Sequence, residues 1–186
     1  MYQSVYLNDG TGSGGYAAKV NADNELLVST AAEALRANAA GNAYCALADV
    51  TSATTDDDFF YILNNDARDL VIFKIQGWCD DASQEISILI GATDGGTGAG
   101  DTITPANLNA GSSNLADVIC VSDATDLAIT GGTAIDLLKF HATVLLLGSW
   151  DYPSGIIIPN GRRLHMAAAL AGLINLNVFF YFRRVS

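Results

Sequence analysis

Residues 173–185 read LINLNVFFYFRRV, and few sequences leave a chain less choice. Almost every residue in the run favours extended backbone, and apolar side chains fall on both alternating faces. Neither face can be left in water, so such a strand belongs in the middle of a sheet or between subunits. The chain after Gly41 supplies its neighbours. Strands are predicted at 43–50, 59–63, 70–78, 85–90, 118–121, 127–130, 134–138, 140–147, 155–158 and 162–168. Turn residues punctuate them, among them Asn64, Asn65 and Asp66, and Pro159, Asn160 and Gly161. Period-2 spacing puts Leu70, Ile72, Lys74 and Gln76 on one face of their strand and Val71, Phe73 and Ile75 on the other. It also aligns Ile86, Ile88 and Ile90. Many short strands at this spacing make an all-β antiparallel sandwich or barrel. The long polar insertion at 91–114 and the apolar last strand favour a jelly-roll-like sandwich among these.

The first forty residues are different. Short extended stretches around Val5, Tyr6 and Leu7, around Tyr16, and around Leu27 are separated by the glycine-rich run DGTGSGG at 9–15. There is too little apolar material here for a separate core. Residues 1–40 are therefore expected to form an extended N-terminal arm and linker, and 41–186 the jelly-roll-like β domain. Within the linker, 30–40 (TAAEALRANAA) has helical composition but is short for an isolated helix.

Charge narrows the partners. Twenty acids against nine Lys and Arg give a net charge of −11, the wrong sign for gripping phosphates or an anionic membrane surface. No nucleic acid and no membrane are expected as partners, and no apolar run approaches the roughly 20 residues of a membrane-spanning helix. The N-terminus MYQSVYLNDG lacks the basic and apolar blocks of a secretion signal. Only 16% of residues are charged while 50% are hydrophobic, a balance that suits a chain with surface hidden in an oligomer. Cys45, Cys79 and Cys120 are far apart and odd in number, which suits reduced thiols rather than a disulfide framework.

Chemistry is sparse. Gly10 to Gly15 resembles a phosphate loop only in its glycines, with no lysine where the motif requires one. Asp56, Asp57 and Asp58, and Asp80 and Asp81, are adjacent rather than alternating, so they suit solvated turns better than a calcium loop. His141 and His165 are the only histidines, and neither sits in a recognisable catalytic motif. No catalytic, cofactor-binding or metal-binding residue is expected, and the chain is read as not an enzyme.

Three stretches carry a resemblance. The first is DGTGSGGYAAKVNADNELLV at the N-terminus. The second is NNDARDLVI at 64–72, followed by TPANLNAGSSN at 104–114. The third is IIPNG at 157–161. In this order they resemble tailed-phage structural proteins of the capsid decoration (cement) or head-fibre kind. The resemblance implies a jelly-roll domain on the outer capsid surface of the virion, made in the host cytoplasm. It also implies contact with the major capsid protein and assembly as a homotrimer. Under that reading Leu173, Leu176, Val178, Phe180 and Phe182 form the subunit interface, and Val5, Tyr6, Leu7, Tyr16 and Leu27 form the capsid-contact arm. The alternative is a head or tail fibre subunit, a receptor-binding jelly roll that contacts the host surface.

Overall fold

The structure, a computed structural model, describes residues 6–7, 16–17, 33–81, 83–92, 100–123, 125–140 and 147–183. The chain divides into two units, Met1–Ala32 and Glu33–Ser186. In the first, β1 (Tyr6–Leu7) and β2 (Tyr16–Ala17) pair antiparallel, with Tyr6 opposite Ala17 and Leu7 opposite Tyr16.

The second unit opens with a helix, α1 (Glu33–Ala39), inside the segment whose composition predicted one. Strands follow in chain order: β3 (Ala43–Ser52), β4 (Asp57–Asn64), β5 (Asp69–Cys79), β6 (Glu85–Ile90), β7 (Asp101–Ile103) and β8 (Ala106–Asn107). After these come β9 (Val118–Ser122), β10 (Thr133–Lys139), β11 (Gly148–Ile158), β12 (Arg163–Ala168) and β13 (Gly172–Arg183). They form two antiparallel sheets, one ordered β10-β6-β12-β4-β9-β7 and the other β11-β5-β13-β3-β8. Set aside β7 and β8, which fall in the 91–114 insertion, and β9 just after it, and eight strands remain. Their orders are β3-β13-β5-β11 and β4-β12-β6-β10, so the chain crosses between sheets at almost every turn. This is a jelly-roll-like winding, the sandwich class read from the strand spacing. The doubly apolar last strand, β13, is central, paired to β3 on one side and β5 on the other.

The core lies between the sheets. Tyr44, Ala46 and Ala48 of β3, Phe60 and Ile62 of β4, and Ile86 and Ile88 of β6 are fully buried there. So are Leu164 and Met166 of β12 and Leu176, Val178 and Phe180 of β13. Alternate residues of these strands face outward, as period-2 geometry requires.

Three details depart from the sequence reading. In β5 the alternation breaks: Phe179 and Phe180 pair with Lys74 and Ile72, leaving Phe73 as an extra residue. That bulge resets the phase. Leu70, Ile72 and Ile75 are buried in the core, whereas Lys74 and Gln76, expected on the face of Leu70 and Ile72, remain only half-buried on the opposite side. Next, residues 127–130 form no strand. Asp126 Oδ1 accepts the Ala128 N–H at 2.9 Å, and Ala128 sits at φ 51°, outside extended backbone. Finally, α1 was expected to belong with the arm, but it packs on the sandwich. Ala37 is buried with Ala43, Val71 and Tyr181, and the Tyr181 hydroxyl donates to Glu33 Oε2 at 2.8 Å.

Candidate functional site

Of the motifs that carried the resemblance, those at 64–72, 104–114 and 157–161 converge at one end of the sandwich, and turn chemistry explains why; the N-terminal one lies largely outside the described residues. Between β4 and β5 the chain must reverse, and Asn64, buried at that corner, supplies the bonds that fix the reversal. Its amide donates to the carbonyls of Arg68 (2.8 Å) and Ile158 (2.9 Å), and its Oδ1 accepts the Asp66 N–H at 3.0 Å. Short amide side chains do this readily because they reach backbone groups two to four residues away. Asp66 in turn holds Arg68 in a two-pronged ion pair, Nε to Oδ1 at 2.8 Å and Nη2 to Oδ2 at 2.6 Å. The guanidinium keeps the Asp66 carboxyl below its ordinary pKa. It also lies 4.7 Å over the Phe182 ring and donates to Asn42 Oδ1 at 3.2 Å.

The turn between β11 and β12 locks onto this corner. Asn160 donates to the carbonyls of Asn65 (3.0 Å) and Asp66 (2.8 Å), and the Gly161 N–H donates to Asn64 O at 2.8 Å. Nearby, the TPANLNAGSSN loop wraps the junction of α1 and β3. The Gly41 carbonyl accepts from Asn107 (3.0 Å), Asn114 (3.2 Å) and the Tyr44 hydroxyl (3.3 Å). Asn109 caps the helix end by donating to Ala39 O at 3.4 Å. Gly41 itself is at φ 70°, and a side chain there would collide with Ser112. Three motif segments are thus spent on one braced platform, whose exposed apolar side chains include Leu108 and, at 81% exposure, Leu115.

The predicted interface residues are placed differently. Leu176, Val178 and Phe180 are fully buried and Phe182 is 5% exposed, all turned into the sandwich's own core. Only Leu173 of the five lies on the outward face of β13, half-buried. The reason is the alternation itself: a strand central to one sheet turns one face to the core, and Ile174, Leu176, Val178, Phe180 and Phe182 share that face. Of the arm residues, Tyr6, Leu7 and Tyr16 fall in the β1–β2 ladder, while Val5 and Leu27 lie outside the described residues.

Titratable groups gather beneath the segment that links β9 to β10. His165 on β12 is buried, with Nε2 3.7 Å from Asp58 Oδ1 and Nδ1 without a hydrogen-bond partner. Burial and the Arg163 charge lower its pKa. Burial, with Asp126 close by, pushes the Asp58 carboxyl up to about 6. Asp58 fastens the linking segment: its Oδ2 accepts the Ile129 N–H at 3.0 Å, its carbonyl accepts the Leu127 N–H at 3.0 Å, and its own N–H donates to Asp126 at 3.2 Å. Leu127 and Ile129 plug against Val121 and Tyr61. The His165 side chain is only 2% exposed. This pairing escaped the sequence reading because the partners are far apart in the chain and share no motif. His141 lies outside the described residues.

Asp57 is also buried, its Oδ2 accepting from the Ser52 hydroxyl at 2.8 Å across the β3–β4 turn. Among the described residues no three His, Cys, Asp or Glu side chains are grouped to hold a metal ion. No described helix is long and apolar enough to cross a membrane. Cys45, Cys79 and Cys120 are all unpaired thiols, and burial raises each of them, the first two to about 11. Comparison with protein-family models, curated proteins and solved structures finds no match to this chain.

Proposed function

We propose that the chain is a non-enzymatic structural subunit of a phage particle that decorates the outer capsid surface and cements neighbouring capsomers. The observation that carries this reading is the ordered set of turn motifs, together with where they end up. Those at 64–72, 104–114 and 157–161 brace one end of an antiparallel sandwich, the end where the chain enters through α1 and Gly41. The contact with the shell belongs, on this reading, to the N-terminal arm around Val5, Tyr6, Leu7, Tyr16 and Leu27, and the braced sandwich is the body that the arm fastens. Its acidic charge keeps it off packaged nucleic acid and leaves the major capsid protein as its partner. Contacts made only with the assembled shell stabilise that state by mass action.

The test is co-sedimentation of purified protein with emptied phage heads that lack it, followed by heating of the loaded shells. Saturable binding and a raised disruption temperature are expected. Binding to host cells with none to heads would replace this reading with a fibre or receptor-binding subunit.

A further inference from the structure

One row of outward-facing residues crosses the six-stranded sheet: Leu89 on β6, His165 on β12, Tyr61 on β4 and Val121 on β9. Outward residues of a half-solvated sheet ordinarily meet water, where a histidine titrates freely. Here residues 126–132 of the chain itself lie along the row. Leu127 and Ile129 pack on Val121 and Tyr61. Gly132 sits so close to His165 that a β-carbon there would come within 2.9 Å of Cε1. The covering segment belongs to neither sheet, since β9 ends at Ser122 and β10 begins at Thr133. Its backbone is left-handed at Ala128 (φ 51°), Gly131 (φ 80°) and Gly132 (φ 105°), a succession of bends that can act as a hinge. What ties it to the sheet is Asp58, through the Leu127 and Ile129 N–H groups and the Asp126 carboxylate.

Beneath that fastening, Asp58 Oδ1 faces His165 Nε2 at 3.7 Å, with side chains 13% and 2% exposed. Asp57 and Tyr61 of β4, Arg163 of β12 and Asp126 of the segment are the titratable and charged groups around this pair, and β6 and β9 bring only Leu89 and Val121. Each partner therefore meets its own sign of charge. The Asp58 carboxylate is set beside Asp126 and Asp57, and the His165 ring shares its strand with the Arg163 guanidinium, 5.3 Å over Tyr61. Burial penalises both charged forms as well, so both groups are driven towards neutrality. Burial first and Asp126 next push Asp58 up to about 6, while burial and Arg163 lower His165. Two neutral groups hold one proton between them, on the carboxyl. Oδ2 still accepts from Ile129, and Oδ1 can carry the proton towards Nε2.

With the segment lifted away, both groups return to their ordinary values of 3.8 and 6.5. Between those values the pair again holds one proton, now on the imidazole. Closing the segment moves that proton from nitrogen to oxygen and releases none. Taken alone, Asp58 would weaken closure as pH rises and His165 would weaken it as pH falls; together they cancel.

We infer that residues 126–132 are a hinged lid on the six-stranded sheet, fastened by a proton-balanced latch of Asp58 and His165 that holds it equally shut from about pH 5 to about pH 8. The inference is independent of the capsid reading, and its test involves no phage heads.

Hydrogen exchange at the Leu127 and Ile129 amides tests it on the full chain, under conditions where closing outruns exchange. Protection factors are compared, so that the intrinsic pH dependence of exchange divides out. In the wild type they should differ by less than about threefold between pH 5 and pH 8. His165→Gln leaves Asp58 without its counterweight, and protection should fall about tenfold over the same rise in pH. Asp58→Asn leaves His165 alone and should reverse the slope, with protection at least about fivefold lower at pH 5 than at pH 8. The double variant should be flat again. The β13 amides should stay far better protected throughout, which marks the opening as local. Each single variant is read by itself, so either suffices should the other not fold. A wild type whose protection changes tenfold or more overturns the balance, as does a single variant as flat as the wild type, or two single variants that slope the same way. Leu127 and Ile129 amides that exchange only in step with β13 overturn the lid.

Discussion

Gly41 and Asn64 are small residues with heavy structural duties. At φ 70°, with Ser112 packed where a side chain would go, Gly41 tolerates no β-carbon without moving the 104–114 loop. Gly41→Ala should cost about 2 kcal/mol or more in chemical denaturation, combining backbone strain and the collision. Asn64→Ala leaves the Ile158 carbonyl buried and unpaired and frees the β4–β5 corner. A loss of about 1–3 kcal/mol is expected. Asp58 should behave differently, because its carboxylate is held in place against its own preference. The folded state raises its pKa from 3.8 to about 6, so folding penalises the charged form. That penalty is absent below the ordinary value, grows as pH rises between the two values, and is complete above about 6. Asp58→Asn keeps an oxygen for the Ile129 N–H and removes the charge. Its melting temperature relative to wild type should therefore be higher at about pH 8 than at about pH 4, where the wild-type carboxyl is already neutral. An advantage that grew on acidification would show that the charge stabilises the segment.

Strands were the most legible level of this molecule, and the exceptions have physical causes. Ile86, Ile88 and Ile90 alternate cleanly because β6 runs without interruption, and the apolar saturation of β13 predicted its central place. The phase of β5 was misread because a bulge is a decision of the partner strand: nothing in LVIFKIQ shows that Phe73 will be the residue left over. Residues 127–130 look like a strand by composition, since Leu127 and Ile129 alternate with smaller neighbours. The alternation is real, but it serves to plug two side chains into Val121 and Tyr61 while Asp58 and Asp126 hold the backbone. Leu127→Ala should cost about 2–3 kcal/mol locally. Hydrogen exchange should place that loss in faster opening of the Leu127 and Ile129 amides, with β13 amides little changed. Of the candidate sites, the turn motifs were readable as turns, but that those at 64–72, 104–114 and 157–161 brace one platform depends on long-range pairing between β4, β11 and β12.

At the scale of the whole chain, the division at Ala32 and Glu33 bears on attachment. Deleting residues 1–29 should leave the sandwich folded with nearly unchanged thermal stability while abolishing attachment to phage heads. A truncated protein that unfolded would put the segment in the core, and one that still bound heads fully would move the attachment surface to the sandwich. EDTA should leave the melting temperature unchanged, since among the described residues no three His, Cys, Asp or Glu side chains are grouped to hold a metal ion.

The pairing of β3 with β13 also governs when the protein can form. Tyr44 sits opposite Phe180 and Ala48 opposite Leu176, and β4 likewise waits for β12. A ribosome adding roughly 5–20 residues per second needs on the order of ten seconds or more between exposing one half of these ladders and the other. Through that interval the apolar faces of β3, β4 and β5 have no permanent partner. The sandwich therefore closes late and all at once, so its yield in a crowded cell should depend on holding factors and growth temperature more than on its final stability.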